Sequence, residues 1–166
     1  FETLPAGPLL EEALSGFLVP AESHRLVARI PPDLPSIRAD RAKFQQTVLN
    51  LLSNARKFSP HGGDIEVEVV AEHPDGLGLI GISVRDHGIG MSAADATHAF
   101  ERFYRSDRSG HIPGTGLGLP LVKEIMKLHG GSVSLESTPD IGTCVTLWFP
   151  VAAQGTAATR SGLAAP

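Results

Sequence analysis

The sequence predicts an α/β two-layer sandwich: one mixed, mostly antiparallel sheet with three main helices on a single face. Three observations carry this expectation. Strand-like runs stand apart with helical patterns interleaved between them, as in helices packed on one sheet. The runs at 65–72 (IEVEVVAE) and 77–86 (LGLIGISVRD) are separated only by His73-Pro74-Asp75-Gly76, a turn signal that makes them an antiparallel hairpin and argues against a purely parallel sheet. The chain has 166 residues, 42% of them hydrophobic and 19% charged, which is enough for one well-buried core and makes a single domain the default.

Residues 1–7 read as a linker. A helix is expected over 8–19, with Pro8 at its start and Leu10, Leu14, Phe17 and Leu18 at helical spacing. Residues 25–30 (RLVARI) form a strand closed by the turn PPDLP. The long helix runs from the cap residue Asp40 to Phe58, where Ser59-Pro60-His61-Gly62-Gly63 stops it. After the hairpin comes a stretch dense in Gly, Ser, Asp and Arg over 87–115, with a short helical candidate at 93–103. A helix then runs from about Gly116 to His129 and is stopped by Gly130-Gly131. Two last strands, 132–137 and 143–149, are joined through Pro139-Asp140-Ile141-Gly142. The tail over 151–166 is small and polar without periodicity, and is expected to be a disordered end or linker.

A net charge of −4 removes the general electrostatic argument for nucleic acid or an anionic membrane surface as partner. The single Cys144 excludes an intramolecular disulfide and a cysteine-based zinc site, so a reducing compartment is expected. No run approaches the ~18 apolar residues of a membrane span. The domain is therefore expected to be soluble and cytoplasmic, whether or not its parent protein is membrane-anchored.

Several polar residues exceed what this fold needs. On the helix 40–58, Phe44, Val48, Leu51, Leu52 and Ala55 make the apolar stripe, while Asn50, Asn54 and Lys57 form a second stripe at i, i+4 and i+7. Asn costs up to roughly 0.7 kcal/mol against Ala inside a helix, so two in line ask for a reason. A solvated face is one reading. The other is a pair of carboxamides and a cation facing a metal-phosphate group, since Mg²⁺ accepts amide oxygen and shares phosphate oxygens. Asp86 ends its strand and opens Asp86-His87-Gly88-Ile89-Gly90-Met91. Its carboxylate could accept from an exocyclic amine while Gly88 and Gly90 let the backbone approach a flat ligand; an ordinary Asx turn is the simpler account.

The stretch GHIPGTGLGLPLVKEI (110–125) has glycines at 114, 116 and 118 ahead of a helix. It is no Walker A loop, because no Gly-Lys-Ser/Thr closes it, and its spacing fails the dinucleotide fingerprint. What remains is a flexible loop ending in the free N–H groups of a helix N-terminus, where anions are favoured.

Taken together and in order, these segments resemble the catalytic ATP-binding domain of bacterial sensor histidine kinases, within the superfamily that includes type II topoisomerase, heat-shock chaperone and mismatch-repair ATPases. The likeness covers about residues 8–150. It rests on stretches similar to that family's N box (DRAKFQQTVLNLLSNARKFSP, 40–60), G1 box (DHGIGM, 86–91), F box (FERFYRSD, 100–107) and G2 box (GTGLGLPLVKEIMKLHGG, 114–131), with the terminal GTCVTLWFP (142–150). The resemblance implies a Bergerat fold and an ATP-binding kinase domain over 8–150 with a lid at 91–115. Asn54 would ligate Mg²⁺, Asn50 would lie beside it on phosphate or metal, and Lys57 and Arg105 would meet phosphate. Asp86 would accept from the adenine amino group, with Gly88 and Gly90 making room for the base and Thr143 as a second, water-mediated contact. Tyr104, Gly114, Thr115, Gly116, Leu117 and Gly118 complete the implied ATP site. Phe100 and Phe103 would hook the base of the lid to the core.

In hydrolytic relatives a glutamate at the Asn50 position activates water; Asn50 is no general base, which favours transfer to a protein nucleophile. Seven histidines are present, yet none lies in the family's His-Glu/Asp helix motif. The resemblance therefore implies a fragment, with residues 1–7 leading from an upstream dimerisation domain that bears the acceptor histidine in a homodimeric parent. The product would pass to a response regulator receiver domain. Pro120, where the family usually has a small residue, sits in the first helical turn and costs little there; Thr47 replaces a commoner apolar residue. An anti-sigma-type serine kinase and a non-catalytic nucleotide-sensing module share the same boxes and stay open as readings.

Overall fold

The computed structural model describes residues 1–17, 23–70 and 78–152. The expected helix end at Leu18-Val19, the turn at 73–76 and the tail beyond 152 lie outside these residues.

A five-stranded sheet forms the frame: β2 (His24–Arg29), β4 (Gly63–Val70), β5 (Leu79–Asp86), β7 (Gly142–Pro150) and β6 (Ser132–Thr138), in that spatial order. Only β2 and β4 run parallel; the other pairs are antiparallel, including the predicted hairpin of β4 and β5. Alternation sorts the two faces. Ile65, Val67, Ile80, Ile82, Leu147 and Phe149 are buried toward the helices, whereas Glu68, Arg85 and Glu136 point to the open face. The sheet is thus mixed and mostly antiparallel with its helical layer on one side, as predicted.

In that layer α2 (Arg41–Lys57) packs between α1 (Ala6–Ser15) and α4 (Gly118–Leu128). Asp40 caps α2 by accepting from the Lys43 N–H at 3.0 Å, and the basic Arg56 and Lys57 stand in its last turn, where the helix dipole favours cations. Phe44 meets Phe149 with ring centroids 5.3 Å apart at the centre of the core. Thr47 is fully buried among these apolar residues, and its hydroxyl donates to the Lys43 carbonyl at 2.8 Å, so the polar atom costs little.

His129 ties the far ends of α2 and α4 together. Its Nδ1 donates to the Ile125 carbonyl at 2.8 Å, which leaves Nε2 to accept the Asp40 N–H at 3.2 Å. The ring is buried edge-on to Phe149.

Four details differ from expectation. Residues 1–7, expected as linker, hold β1 (Glu2–Pro5), which pairs with the equally unpredicted β3 (Ser36–Ala39) and buries Leu4. Helix α1 begins at Ala6 rather than Pro8; the proline falls in the first turn, where no intrahelical N–H bond is lost. Helix α4 begins at Gly118 rather than Gly116, because Gly116 has φ +69° and cannot join a right-handed helix. The short helical candidate shrinks to α3 (Ala93–His98), capped by Ser92.

Candidate functional site

A cleft of about 400 Å³ opens where the C-terminal half of α2, the ends of β5 and β7, the segment 91–115 and the start of α4 converge. Every predicted site residue except Gly88 lines it.

The α2 wall presents Asn50, Asn54 and Lys57, as the i, i+4, i+7 spacing requires. Asn54 faces the start of α4: a methyl group placed on Gly118 would lie 3.5 Å from its Nδ2 and 3.7 Å from its Oδ1. Lys57 reaches the loop before α4, with its Nζ 3.3 Å from where a methyl group on Gly114 would be. Asn50 Nδ2 is buried and has no hydrogen-bond partner among the described residues. A buried amide left in this state is unfavourable by about 1–3 kcal/mol unless something in the cleft completes it. Thus two carboxamides and an ammonium group face one space, beside a helix N-terminus. That donor set suits a phosphate chain with a hard divalent cation: carboxamide oxygen for the metal, N–H and ammonium for phosphate oxygen.

At the other end, Asp86 is 7% exposed. Its Oδ1 accepts the N–H of Gly88 at 2.9 Å and of Thr143 at 3.3 Å, which leaves Oδ2 as an acceptor toward the cleft. Burial raises its pKa above the usual carboxylate value, and the two N–H bonds only partly oppose that. Beside it, Thr143 Oγ1 lies 2.7 Å from Ser137 Oγ, which also accepts the Met91 N–H at 2.8 Å.

Gly88 serves a different purpose from the one expected. A methyl group there would sit 1.9 Å from the Phe58 carbonyl oxygen, so the glycine makes room for the end of α2 and not for a flat ligand. Ile89 N–H donates to that same carbonyl at 2.9 Å, locking the turn after Asp86 to α2. Gly90, at φ +60°, does line the cleft, and it lets the chain pass against the Thr138 carbonyl.

The segment 91–115 covers one side of the cleft. Tyr104 donates its hydroxyl to Asp95 Oδ1 at 2.6 Å, which holds that carboxyl below its ordinary range and raises the phenol. Arg105, expected on phosphate, instead donates from Nη2 to the carbonyls of Ser109, at 2.8 Å, and Ile112. In this conformation it braces the segment internally, because two carbonyls of its own loop lie within reach. Phe103 is no hook: it stands 72% exposed at φ +64°, its N–H given to the Gly116 carbonyl at 3.0 Å. Phe100 is half-buried, with Lys123 Nζ 5.9 Å from its ring centroid.

Two participants, Arg108 and Ser137, escaped the sequence reading. Arg108 donates to the Ile89 carbonyl at 3.2 Å and pairs with Asp140, joining the segment 91–115 to the turn between β6 and β7. Ser137 supports Thr143. Its position was readable, since a hairpin closed at Pro139–Gly142 puts residues 137 and 143 opposite each other. The Arg108 contact had no sequence signal, because the pairing spans two loops.

The family profile described as histidine kinase-, DNA gyrase B- and HSP90-like ATPase matches residues 39–153. The chain belongs to this family. Among its relatives, the sensor histidine kinase WalK of Bacillus subtilis is 36% identical over 81% of this chain and 22% of its own length. The non-motile and phage-resistance protein of Caulobacter vibrioides is 36% identical over 99% of this chain and 20% of its own. Among solved structures, the mycobacterial sensor histidine kinase MprB superposes with a TM-score of 0.78 at 26% identity, covering 90% of this chain and 98% of that one. Full-length ShkA in complex with AMPPNP gives 0.77 at 25%, covering 91% and 31%. The chain is thus similar to the ATP-binding domains of sensor histidine kinases, and it spans between 20% and 37% of the length of the curated relatives it matches. Among the described residues no helix is long and apolar enough to cross a membrane, and no group of three or more His, Cys, Asp or Glu side chains is placed to hold a metal ion.

Proposed function

We propose that this domain binds Mg-ATP in the cleft and donates the γ-phosphoryl group to a histidine on separate dimerisation helices of the same parent protein, for relay to a receiver domain. The observation that carries the reading is the buried, unpartnered amide of Asn50 on the same helix face as Asn54 and Lys57, with the Asp86 acceptor at the opposite end of one cleft. A nucleotide triphosphate would answer both ends at once, its base amine on Asp86 Oδ2 and its phosphates on the α2 wall.

Asn54, assisted by Asn50, would hold the metal ion, which when bound offsets charge on the phosphate oxygens. Lys57 supplies a cation to the phosphates, and the N–H groups at the start of α4 add their dipole. During transfer the acceptor imidazole nitrogen forms the new N–P bond as the bond between the γ-phosphorus and the bridging oxygen breaks, and ADP departs. Neither Asn50 nor Asn54 is a base able to activate water, so positioning of a protein nucleophile is favoured over hydrolysis. A domain that uses ATP in this way would work in the cytoplasm.

The test mixes the domain with Mg-ATP and the helical region encoded upstream in its parent protein. Acid-labile, base-stable phosphate on those helices is expected. Acid-stable phosphate on serine, or no transfer by a domain that binds ATP, would overturn the assignment.

A further inference from the structure

Ser137 stands behind the cleft wall, directly across the β6–β7 hairpin from Thr143. Its Oγ meets three partners: the Met91 N–H at 2.8 Å, the Gly142 carbonyl at 3.0 Å and Thr143 Oγ1 at 2.7 Å. A hydroxyl has one proton and two lone pairs, so the partners fix its orientation. Met91 N–H can only donate, and Gly142 O can only accept. The Ser137 proton therefore goes to Gly142, one lone pair takes Met91, and the other takes the proton of Thr143. Thr143 thus gives its only proton away from the cleft. Beside it, Asp86 Oδ1 is already filled by two N–H groups, and Oδ2 is a second pure acceptor.

We infer that Ser137 is a positioning residue for base selectivity: by taking the Thr143 proton it turns this end of the cleft into an acceptor pair that fits a 6-amino purine and leaves a 6-oxo purine without a donor. The inference rests on the Mg-ATP reading of the cleft and adds to it the residue that holds the hydroxyl in place. Removing the Ser137 oxygen releases the Thr143 proton, which can then turn toward a 6-oxo oxygen. It also unties the Met91 N–H at the root of the lid segment, but that loss weakens both kinds of nucleotide alike.

The experiment titrates the domain with Mg-ATP and Mg-ITP and reads the ratio of the two dissociation constants. The wild type is expected to prefer ATP. In Ser137→Ala the ratio is expected to fall about fivefold to tenfold, the worth of one hydrogen bond regained by ITP. Ser137→Cys, which keeps the volume with a weak acceptor, falls between, and serves if the alanine variant folds poorly. In a Thr143→Val background Ser137→Ala should leave the ratio unchanged, since its route is gone. An equal loss of both affinities in Ser137→Ala, or a ratio shift that persists without the Thr143 hydroxyl, would overturn the inference. So would a wild type that binds ATP and ITP equally. Failure of the wild type to bind either nucleotide would instead overturn the Mg-ATP reading on which the inference stands.

Discussion

Replacing Asp86 by Asn separates binding from stability in opposite directions. The residue is 7% exposed, and Oδ1 holds two backbone N–H groups, at 2.9 and 3.3 Å. An Asn side chain keeps that role with its carbonyl oxygen, because only an acceptor satisfies both. Its NH₂ then replaces Oδ2 in the cleft and presents donors where the exocyclic amine also donates. Loss of a hydrogen bond to a charged group is worth about 1.5–3 kcal/mol, so Mg-ATP should bind roughly 10- to 100-fold more weakly. The folded protein without nucleotide should not suffer. Burial raises the Asp86 pKa, so in the window just above the ordinary carboxylate value the folded state holds a proton that the unfolded state has released. Wild-type stability is therefore free of this penalty below the unfolded pKa, falls as pH rises through the window, and stays lowered above the folded pKa. Asp86→Asn escapes that loss, and its stability relative to wild type should rise across the same window. Calorimetric titration with Mg-ATP and melting curves from pH 3 to 9 read both effects. ATP affinity within threefold of wild type would refute the assignment of Oδ2, and a variant that loses relative stability as pH rises would refute the account of burial.

Three further outcomes are expected. Gly88→Ala drives a methyl group to 1.9 Å from the Phe58 carbonyl and should lower the unfolding free energy by about 2–4 kcal/mol, read from the urea midpoint, with ATP binding weakened because the Asp86 turn must move. Asn54→Ala should leave stability within about 0.7 kcal/mol, since alanine is the better helix former, while the Mg²⁺ dependence of ATP binding in a metal titration largely disappears. His129→Ala removes the acceptor of the Asp40 N–H and hollows the packing against Phe149; a loss of about 2–4 kcal/mol is expected in chemical denaturation, with the ratio of ATP to ADP affinity unchanged.

The long helix and both hairpins were legible because several local signals agreed: Asp40 as cap, an apolar stripe, and Gly-Pro punctuation after Phe58. Strands β1 and β3 were not. Each is four residues long with one large buried side chain, Leu4 or Ile37, too little for alternation to show. The candidate site was legible at Asn50, Asn54, Lys57 and Asp86 because asparagines in a helix interior and a carboxylate at a strand end conflict with local preference. In the segment 91–115 the residue types were readable but their partners were not. That Arg105 is a cation says nothing about which carbonyls fold back within its reach, and the exposure of Phe103 follows from a positive φ that no pattern of apolar residues encodes. Gly88 shows the same limit: the need for a glycine was visible, while the atom demanding it, the Phe58 carbonyl, is thirty positions away.

The segment over the cleft is fastened to the sheet at one foot and closed on itself at the other. Met91 N–H is held by Ser137 at one end, and at the other Gly116 receives Phe103 and hands the chain to α4. A chain pinned in this way is a closed loop, whose ordering cost grows only with the logarithm of its length, about 0.6 kcal/mol for each doubling. Lengthening the segment would thus add little to that cost by itself, whereas an insertion between Ser109 and Ile112 would also break the brace from Arg105. The length of this segment is therefore inexpensive to change as far as loop closure goes, provided the Arg105 brace and the residues that line the cleft are kept.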